Sequence, residues 1–375
     1  MVYQEFEELK LSALGMGTMR LPVIGENDAE IDEKAAEEMV DYAIKKGINY
    51  FDTAWGYHSG NSETVMGRIL KKYPRESFYL ATKFPGYDLS NMSRVEEIFE
   101  KQLEKCGVEY FDFYLFHNVC EMNIDAYLNT EYGIYEYLMK QKKSGRIRHL
   151  GFSAHGSCDV MKRFLKAYGK DMEFCQIQLN YIDYSFQDAK GKMELLEQYQ
   201  IPVWVMEPLR GGKLAKLPKE AEEKLKSLRP QESTPAWAFR FLQTFPNVKM
   251  ILSGMSNFVQ LKENIETFAA DKPLKEEEMK TLLLIAEGML AGTQPCTACH
   301  YCTSHCPQGL DIPKLIALYN EHSFTGGGFI APMVLQSVPE EKQPSACVGC
   351  RSCEQVCPQR IKISEVMTDF CNRLK

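Results

Sequence analysis

The sequence predicts a (β/α)8 barrel followed by a small, mainly helical domain. Eight short apolar segments alternate with amphipathic ones between residues 14 and 268. That is the pattern of strand–helix units closing into a parallel barrel. The last eighty residues then hold the run C-x2-C-x2-C-x3-C-P twice, which no barrel unit would contain. The expected division is residues 1–290 for the barrel and 291–375 for the second domain. A doubly wound open sheet is the alternative that the same alternation allows.

The strand segments are 14–18, 48–52, 78–82, 111–116, 147–153, 174–179, 203–206 and 249–252. The helical stretches between them are 33–46, 63–73, 93–106, 132–143, 159–168, 192–199, 235–244 and 257–268. In the first, Ala36, Met39, Val40, Ala43 and Ile44 share one face at the i, i+3, i+4 spacing of a surface helix. A further helix over 274–290 precedes Pro295, which opens the second domain. Between the two cysteine runs a helical piece is expected over 313–319. A loop then opens with Gly326-Gly327-Gly328 and reaches to about 343. The triple glycine reads as a flexible turn, with a lid as the alternative.

Composition narrows the function. The apolar fraction of 45% over 375 residues supports a substantial core plus a small domain. A net charge of −7 offers no basic field for nucleic acid. The charged start lacks the apolar stretch of a signal peptide, and no run of eighteen apolar residues could span a membrane. Thirteen cysteines without an export signal imply a reducing cytoplasm rather than a disulfide framework. Cys106, Cys120, Cys158, Cys175 and Cys371 are scattered and read as small buried hydrophobes.

The other eight cysteines are Cys296, Cys299, Cys302 and Cys306 before Pro307, and Cys347, Cys350, Cys353 and Cys357 before Pro358. Three thiolates at two-residue intervals with a fourth from elsewhere suit a [4Fe–4S] cluster. In two-cluster proteins the fourth cysteine of each run serves the other cluster. The expected sets are Cys296, Cys299 and Cys302 with Cys357, and Cys347, Cys350 and Cys353 with Cys306. Two zinc sites are the alternative, but zinc gives no reason for the third cysteine, the fourth and the proline, repeated.

In such a barrel, chemistry sits at the C-terminal ends of the strands. Asp52 and Tyr57 follow strand two, Lys83 ends strand three and His117 ends strand four. The Lys83 ammonium would stabilise a Tyr57 phenolate, and Asp52 would hold Lys83 charged and in place. His117 would orient a substrate oxygen, so that developing charge meets fixed donors. Taken singly, Asp52–Lys83 could be a structural ion pair, Tyr57 a rim aromatic and His117 a core histidine.

The chain here resembles the aldo–keto reductase family. The matching pieces begin with Leu14-Gly15-Met16-Gly17-Thr18-Met19-Arg20-Leu21, Phe51-Asp52-Thr53-Ala54 with Tyr57, Asn61-Ser62-Glu63, Lys83 and His117. They continue with Gly151-Phe152-Ser153, Gln178, Pro208-Leu209 and Gly254-Met255-Ser256-Asn257 with Gln260, Glu263 and Asn264. The resemblance covers about residues 1–270, and the cysteine-rich tail makes the chain similar to an iron–sulfur branch of that family. It implies reduction of a small-molecule carbonyl by NADP(H) or NAD(H), with Tyr57 as general acid. The implied cofactor contacts are Ser153, Gln178, Pro208, Leu209, Arg210, Gly211, Gly254, Ser256, Gln260, Glu263 and Asn264.

Three positions depart from the family's pattern. Met206 stands where an aromatic usually stacks on the nicotinamide, and Ala154 where an asparagine usually holds the carboxamide. Gln260 occupies a position that is often basic, leaving NADH open and Arg210 as the nearest phosphate or carboxylate ligand. A hydride carrier moves two electrons and a cluster one, so FMN in the barrel mouth would reconcile them. The alternatives are therefore a ferredoxin-, flavodoxin- or flavin-linked reductase that uses the clusters as a wire, or a non-catalytic electron-carrier subunit. Substrate choice belongs to the loops 85–91 and 119–131 and the glycine-rich insertion. Tyr127, Tyr132, Tyr135 and Tyr137 are candidates to line that pocket, or else to be buried by a helix.

Overall fold

The computed structural model describes residues 1–296, 300, 302–357 and 359–375, so the expectations for Cys299 and Pro358 lie outside the described residues. The chain divides into two compact units, Met1–Leu284 and Ile285–Lys375. The sequence places the division a few residues later, near the end of the helix Glu276–Met289.

The first unit begins with an antiparallel hairpin, β1 (Tyr3–Phe6) and β2 (Leu9–Ser12). Eight parallel strands follow: β3 (Leu14–Gly17), β4 (Tyr50–Asp52), β5 (Tyr79–Phe84), β6 (Phe111–Val119), β7 (Ile147–Ala154), β8 (Cys175–Gln178), β9 (Val203–Met206) and β10 (Val248–Gly254). Each pairs with the next, and β10 returns to β3, which closes the barrel and excludes the open sheet. Closure buries both faces of most strand residues, which is why most of the segments read as apolar runs. The interior is filled by Tyr50, Phe113, Phe174, Trp204, Met250 and Leu252, with Phe6 of the hairpin among them. Gly151 is required by this packing, since a Cβ there would stand 2.5 Å from the Phe174 carbonyl oxygen.

The helices form where their caps and apolar faces predict. Glu33–Lys45 starts at Asp32, whose carboxylate accepts from the Ala35 amide, and it buries Ala36, Met39, Val40 and Ala43. The sequence reading missed the hairpin and three helices of this unit, Ile124–Leu128, Asp183–Phe186 and Lys219–Leu228. The hairpin turns at Glu7-Glu8, with Glu7 at φ +50, where Asn-Gly would signal it. Ile124–Leu128 is too short for periodicity to show, and Lys219–Leu228 buries only Leu225.

The second unit is helical. The piece expected over 313–319 extends to the helix Ile312–Thr325, which Gly326 terminates in the left-handed region at φ +70. The expected loop to residue 343 is corrected, because the helix Ile330–Leu335 interrupts it. With Ile363–Arg373 these helices enclose a core of Leu315, Ile316, Ala331, Leu335, Met367 and Phe370. Among the described residues no helix is long and apolar enough to cross a membrane.

Candidate active site

Asp52 ends β4, and Lys83 stands one residue before the end of β5. Parallel register brings both to the same rim, where the Lys83 ammonium donates to Asp52 Oδ1 at 2.6 Å and to the Thr53 carbonyl at 2.7 Å. Both side chains are nearly fully buried. Desolvation pushes the Asp52 carboxyl up, opposed by Lys83. Desolvation also opposes the Lys83 charge, yet the nearby Asp52 and Tyr57 raise the ammonium above its usual value, so Lys83 stays protonated.

Tyr57 enters from a strained turn. His58 (φ +52) and Ser59 (φ +55) both adopt left-handed backbone directly after it. The buried His58 ring fixes that turn, accepting from the Leu21 amide through Nε2. The half-buried Tyr57 ring lies with its centroid 5.1 Å from Lys83 Nζ and 6.3 Å from the His117 ring, edge to face. His117 stands where the β6–β7 register shifts between Phe116 and Val119, an irregularity that re-aims a side chain at the rim. Asn118 beside it takes φ +57. All four expected residues therefore meet at one barrel mouth.

One detail differs from the sequence expectation. Burial raises the Tyr57 phenol, and the Lys83 charge opposes that rise without reversing it. Tyr57 thus holds its proton at neutral pH, and Lys83 favours the phenolate only as the proton leaves. Burial, then Lys83 and His155, hold the His117 imidazole well below the usual histidine value, so it is neutral.

Residues given no role by the sequence reading hold this group in place. The fully buried Glu63 accepts from Thr82 Oγ1, Gln102 Nε2 and Lys105 Nζ, each at 2.7 Å. Gln102 also donates to the Lys83 carbonyl at 3.0 Å, which braces the strand end that carries the ammonium. Tyr87 stacks edge-on against His117 at 5.2 Å. Tyr127 is buried, with its hydroxyl on the His117 carbonyl, whereas Tyr135 and Tyr137 bond Asp171 and Glu100 and Tyr132 is exposed.

At the same barrel end, a cavity of about 500 Å³ opens beside the loops after β9 and β10. Pro208, Leu209, Gly211, Gly254, Ser256, Gln260, Glu263 and Asn264, eight of the eleven residues that the resemblance implies as cofactor contacts, line it. Ser233, Thr234 and Pro235 also line it, at the start of the helix Thr234–Gln243, while Ser256 precedes the helix Phe258–Thr267. Two helix N-termini therefore border a space suited to phosphate. The Ser-Thr-Pro helix start was legible as a signal but was not used.

Three expected contacts are placed elsewhere. Arg210 is neither a phosphate ligand on the cavity wall nor a solvated arginine; it is buried in an ion pair with Asp183 at 3.0 Å. Gln178 donates to the same carboxylate at 2.8 Å, and Ser153 Oγ accepts from the Asn118 amide at 2.8 Å. The short Asp183–Phe186 helix, which supplies that carboxylate, left no sequence signal. The one cation among the lining residues is Arg20, 3.8 Å from Glu207.

In the second unit, Cys306, Cys347, Cys350 and Cys353 line one cavity. Cys302 lies within electrostatic reach of Cys296 and Cys357, and Cys353 of Cys306 and Cys347. No described cysteine is in a disulfide. This all-thiol donor set, with the fourth member exchanged between runs, fits iron–sulfur ligation.

Residues 13–287 match the Aldo/keto reductase family, and residues 295–361 match the 4Fe-4S dicluster domain. The chain is 26% identical to YqkF, an uncharacterised oxidoreductase of Bacillus subtilis, over 73% of its own length and 92% of YqkF. It is 24% identical to the NADH-specific methylglyoxal reductase of Escherichia coli, over 69% of this chain and 90% of that one. The fold is shared with the aldo-keto reductase AKR11C1 of Bacillus halodurans, at a TM-score of 0.62 and 24% identity over 76% of this chain and 96% of that one.

Proposed function

Because the chain belongs to the aldo/keto reductase family, we propose that it reduces the carbonyl of a small molecule, with Tyr57 as the general acid and NADH in the cavity beside β9 and β10. The observation that carries the reading is the Lys83 ammonium, bonded to Asp52 at 2.6 Å while lying 5.1 Å from the Tyr57 ring centre.

When bound against Pro208, Leu209 and Ser256, a reduced nicotinamide would supply the hydride that the carbonyl carbon takes. Tyr57 donates its proton to the carbonyl oxygen, and Lys83 steadies the phenolate left behind. Asp52 keeps Lys83 aimed. Neutral His117 hydrogen-bonds the same oxygen without competing for the proton.

The charge around the cavity favours NADH. Its lining holds two carboxylates, Glu207 and Glu263, against the single cation Arg20, and Gln260 is neutral. A 2′-phosphate needs a bidentate cation and would meet none that is uncommitted there. The Escherichia coli relative named for NADH supports the same choice over NADPH and over FMN. We assign Cys296, Cys299, Cys302 and Cys357 to one [4Fe–4S] cluster and Cys306, Cys347, Cys350 and Cys353 to the other.

Anaerobic steady-state assay with NADH, methylglyoxal and a panel of aldehydes and quinones tests the reading. Tyr57→Phe should lower kcat by roughly 10²–10⁴, the usual contribution of a positioned acid. Undiminished turnover would reject the role.

A further inference from the structure

The N-terminal end of the barrel holds a group of ligating side chains that the carbonyl chemistry does not use. His149, the third residue of β7, is buried. Its Nδ1 faces two carboxylates, Glu173 Oε1 at 3.2 Å and Glu7 Oε2 at 3.6 Å. The three ligand atoms all lie within 4.8 Å of one another. Glu173 comes two residues before β8, and Glu7 stands in the turn between β1 and β2. Three separate segments therefore converge on one point.

Two of the donors are held in place by their surroundings. The His149 ring stacks on Phe113 at 5.0 Å and meets Phe6 edge-on at 5.1 Å, which fixes its plane. Glu173 uses its other oxygen, Oε2, to accept from the Leu150 amide at 2.8 Å and from the Lys142 ammonium, leaving Oε1 to the imidazole. Outer bonds of this kind orient a ligating carboxylate. Glu7, with its side chain 47% exposed, has no other partner among the described residues.

The arrangement calls for a cation at its centre. A proton on one nitrogen can serve one carboxylate well, yet two converge on Nδ1. The two carboxylates repel each other, and Lys142 offsets only one of them. A cavity of about 1100 Å³ opens onto all three residues and gives an ion and its water a way in. Four carboxylates and four cations line that cavity, so no general field draws ions there and only direct ligation would hold one. One imidazole nitrogen with two carboxylate oxygens is a zinc-type donor set. Tetrahedral bonds of about 2.0–2.1 Å place ligand atoms about 3.3–3.4 Å apart, between the two spacings at Nδ1.

We propose that Glu7, His149 and Glu173 bind a zinc ion, with water from the cavity as the fourth ligand. The imidazole binds in its neutral form through Nδ1. The ion joins the hairpin turn to the early parts of β7 and β8, so its role is to fasten the N-terminal end of the barrel. The inference is independent of Tyr57 and of the cysteine assignment.

The test uses the full-length protein, purified anaerobically with its iron and sulfide complete so that the cysteines are occupied, and zinc chloride as the probe. Calorimetry should give one saturable site that magnesium, which prefers oxygen donors, does not displace at about tenfold excess. At one equivalent of zinc, X-ray absorption should show nitrogen and oxygen neighbours at about 2.0–2.1 Å and no sulfur at about 2.3 Å. Glu7→Gln, in an exposed turn that leaves the core untouched, should weaken the site at least about tenfold, and His149→Asn should abolish it. Sulfur around the zinc, equal affinity of wild type and Glu7→Gln, or displacement by magnesium each overturns the proposal. Absence of saturable binding overturns it too, leaving an ordinary ion cluster. None of these outcomes bears on carbonyl turnover with NADH, which Tyr57→Phe reports separately.

Discussion

The ammonium of Lys83 and the carboxylate of Asp52 meet at 2.6 Å with almost no solvent contact, on neighbouring strands β5 and β4. A buried pair of this kind is costly to break, because the remaining charge is stranded. Its persistence beside Tyr57 fits a task that needs a fixed, charged amine.

Breaking the pair should therefore reveal two separable effects. Lys83→Met leaves Asp52 uncompensated and should cost about 3–5 kcal/mol of stability along with activity. Adding Asp52→Asn should recover most of the stability and none of the activity. Denaturant unfolding alongside turnover checks this, and recovery of activity in the double variant would remove Lys83 from the chemistry.

The pH profile should be broad. His117 is held well below the ordinary histidine value of about 6.5, so its protonation, and the loss of activity that follows, is confined to more acidic solution. Tyr57 is raised above about 10, so the alkaline loss comes when that phenol finally gives up its proton. A kcat/KM limb near 6.5 that vanishes in His117→Gln would contradict this assignment.

Cofactor choice should yield to one added cation. Gln260→Arg places a guanidinium at the cavity wall and should raise kcat/KM for NADPH about tenfold, with little change for NADH. An unaltered NADH to NADPH ratio would show that the adenosine end lies elsewhere.

The exchanged cysteine sets can be told apart by iron content. Cys306→Ser with Cys347→Ser should remove about half of the iron if, as proposed, both serve one cluster. Cys306→Ser with Cys296→Ser should disturb both clusters. The opposite ranking would mean that each run serves its own cluster.

Much of this was legible in the sequence because it is written in local spacing. The eight strands appeared as apolar runs bounded by helical periodicity, and the clusters as a fixed cysteine interval. Asp52, Tyr57, Lys83 and His117 could be gathered at one rim because a parallel barrel puts every strand end on the same side. Arg210 could not be placed this way. Its partner Asp183 lies on a four-residue helix after a different strand, and only packing decides that the guanidinium turns inward to meet it.

The sequence by itself determined the barrel, the four-residue rim group and the eight thiolates, since each follows from period or interval along the chain. The tertiary structure alone decided the net rise of the Tyr57 phenol, the neutral His117, the single cation among the residues lining the cavity beside β9 and β10, and the exposed Cys350. Those depend on how much water each group loses and which charges approach it across the fold, and neither quantity is written in the order of residues.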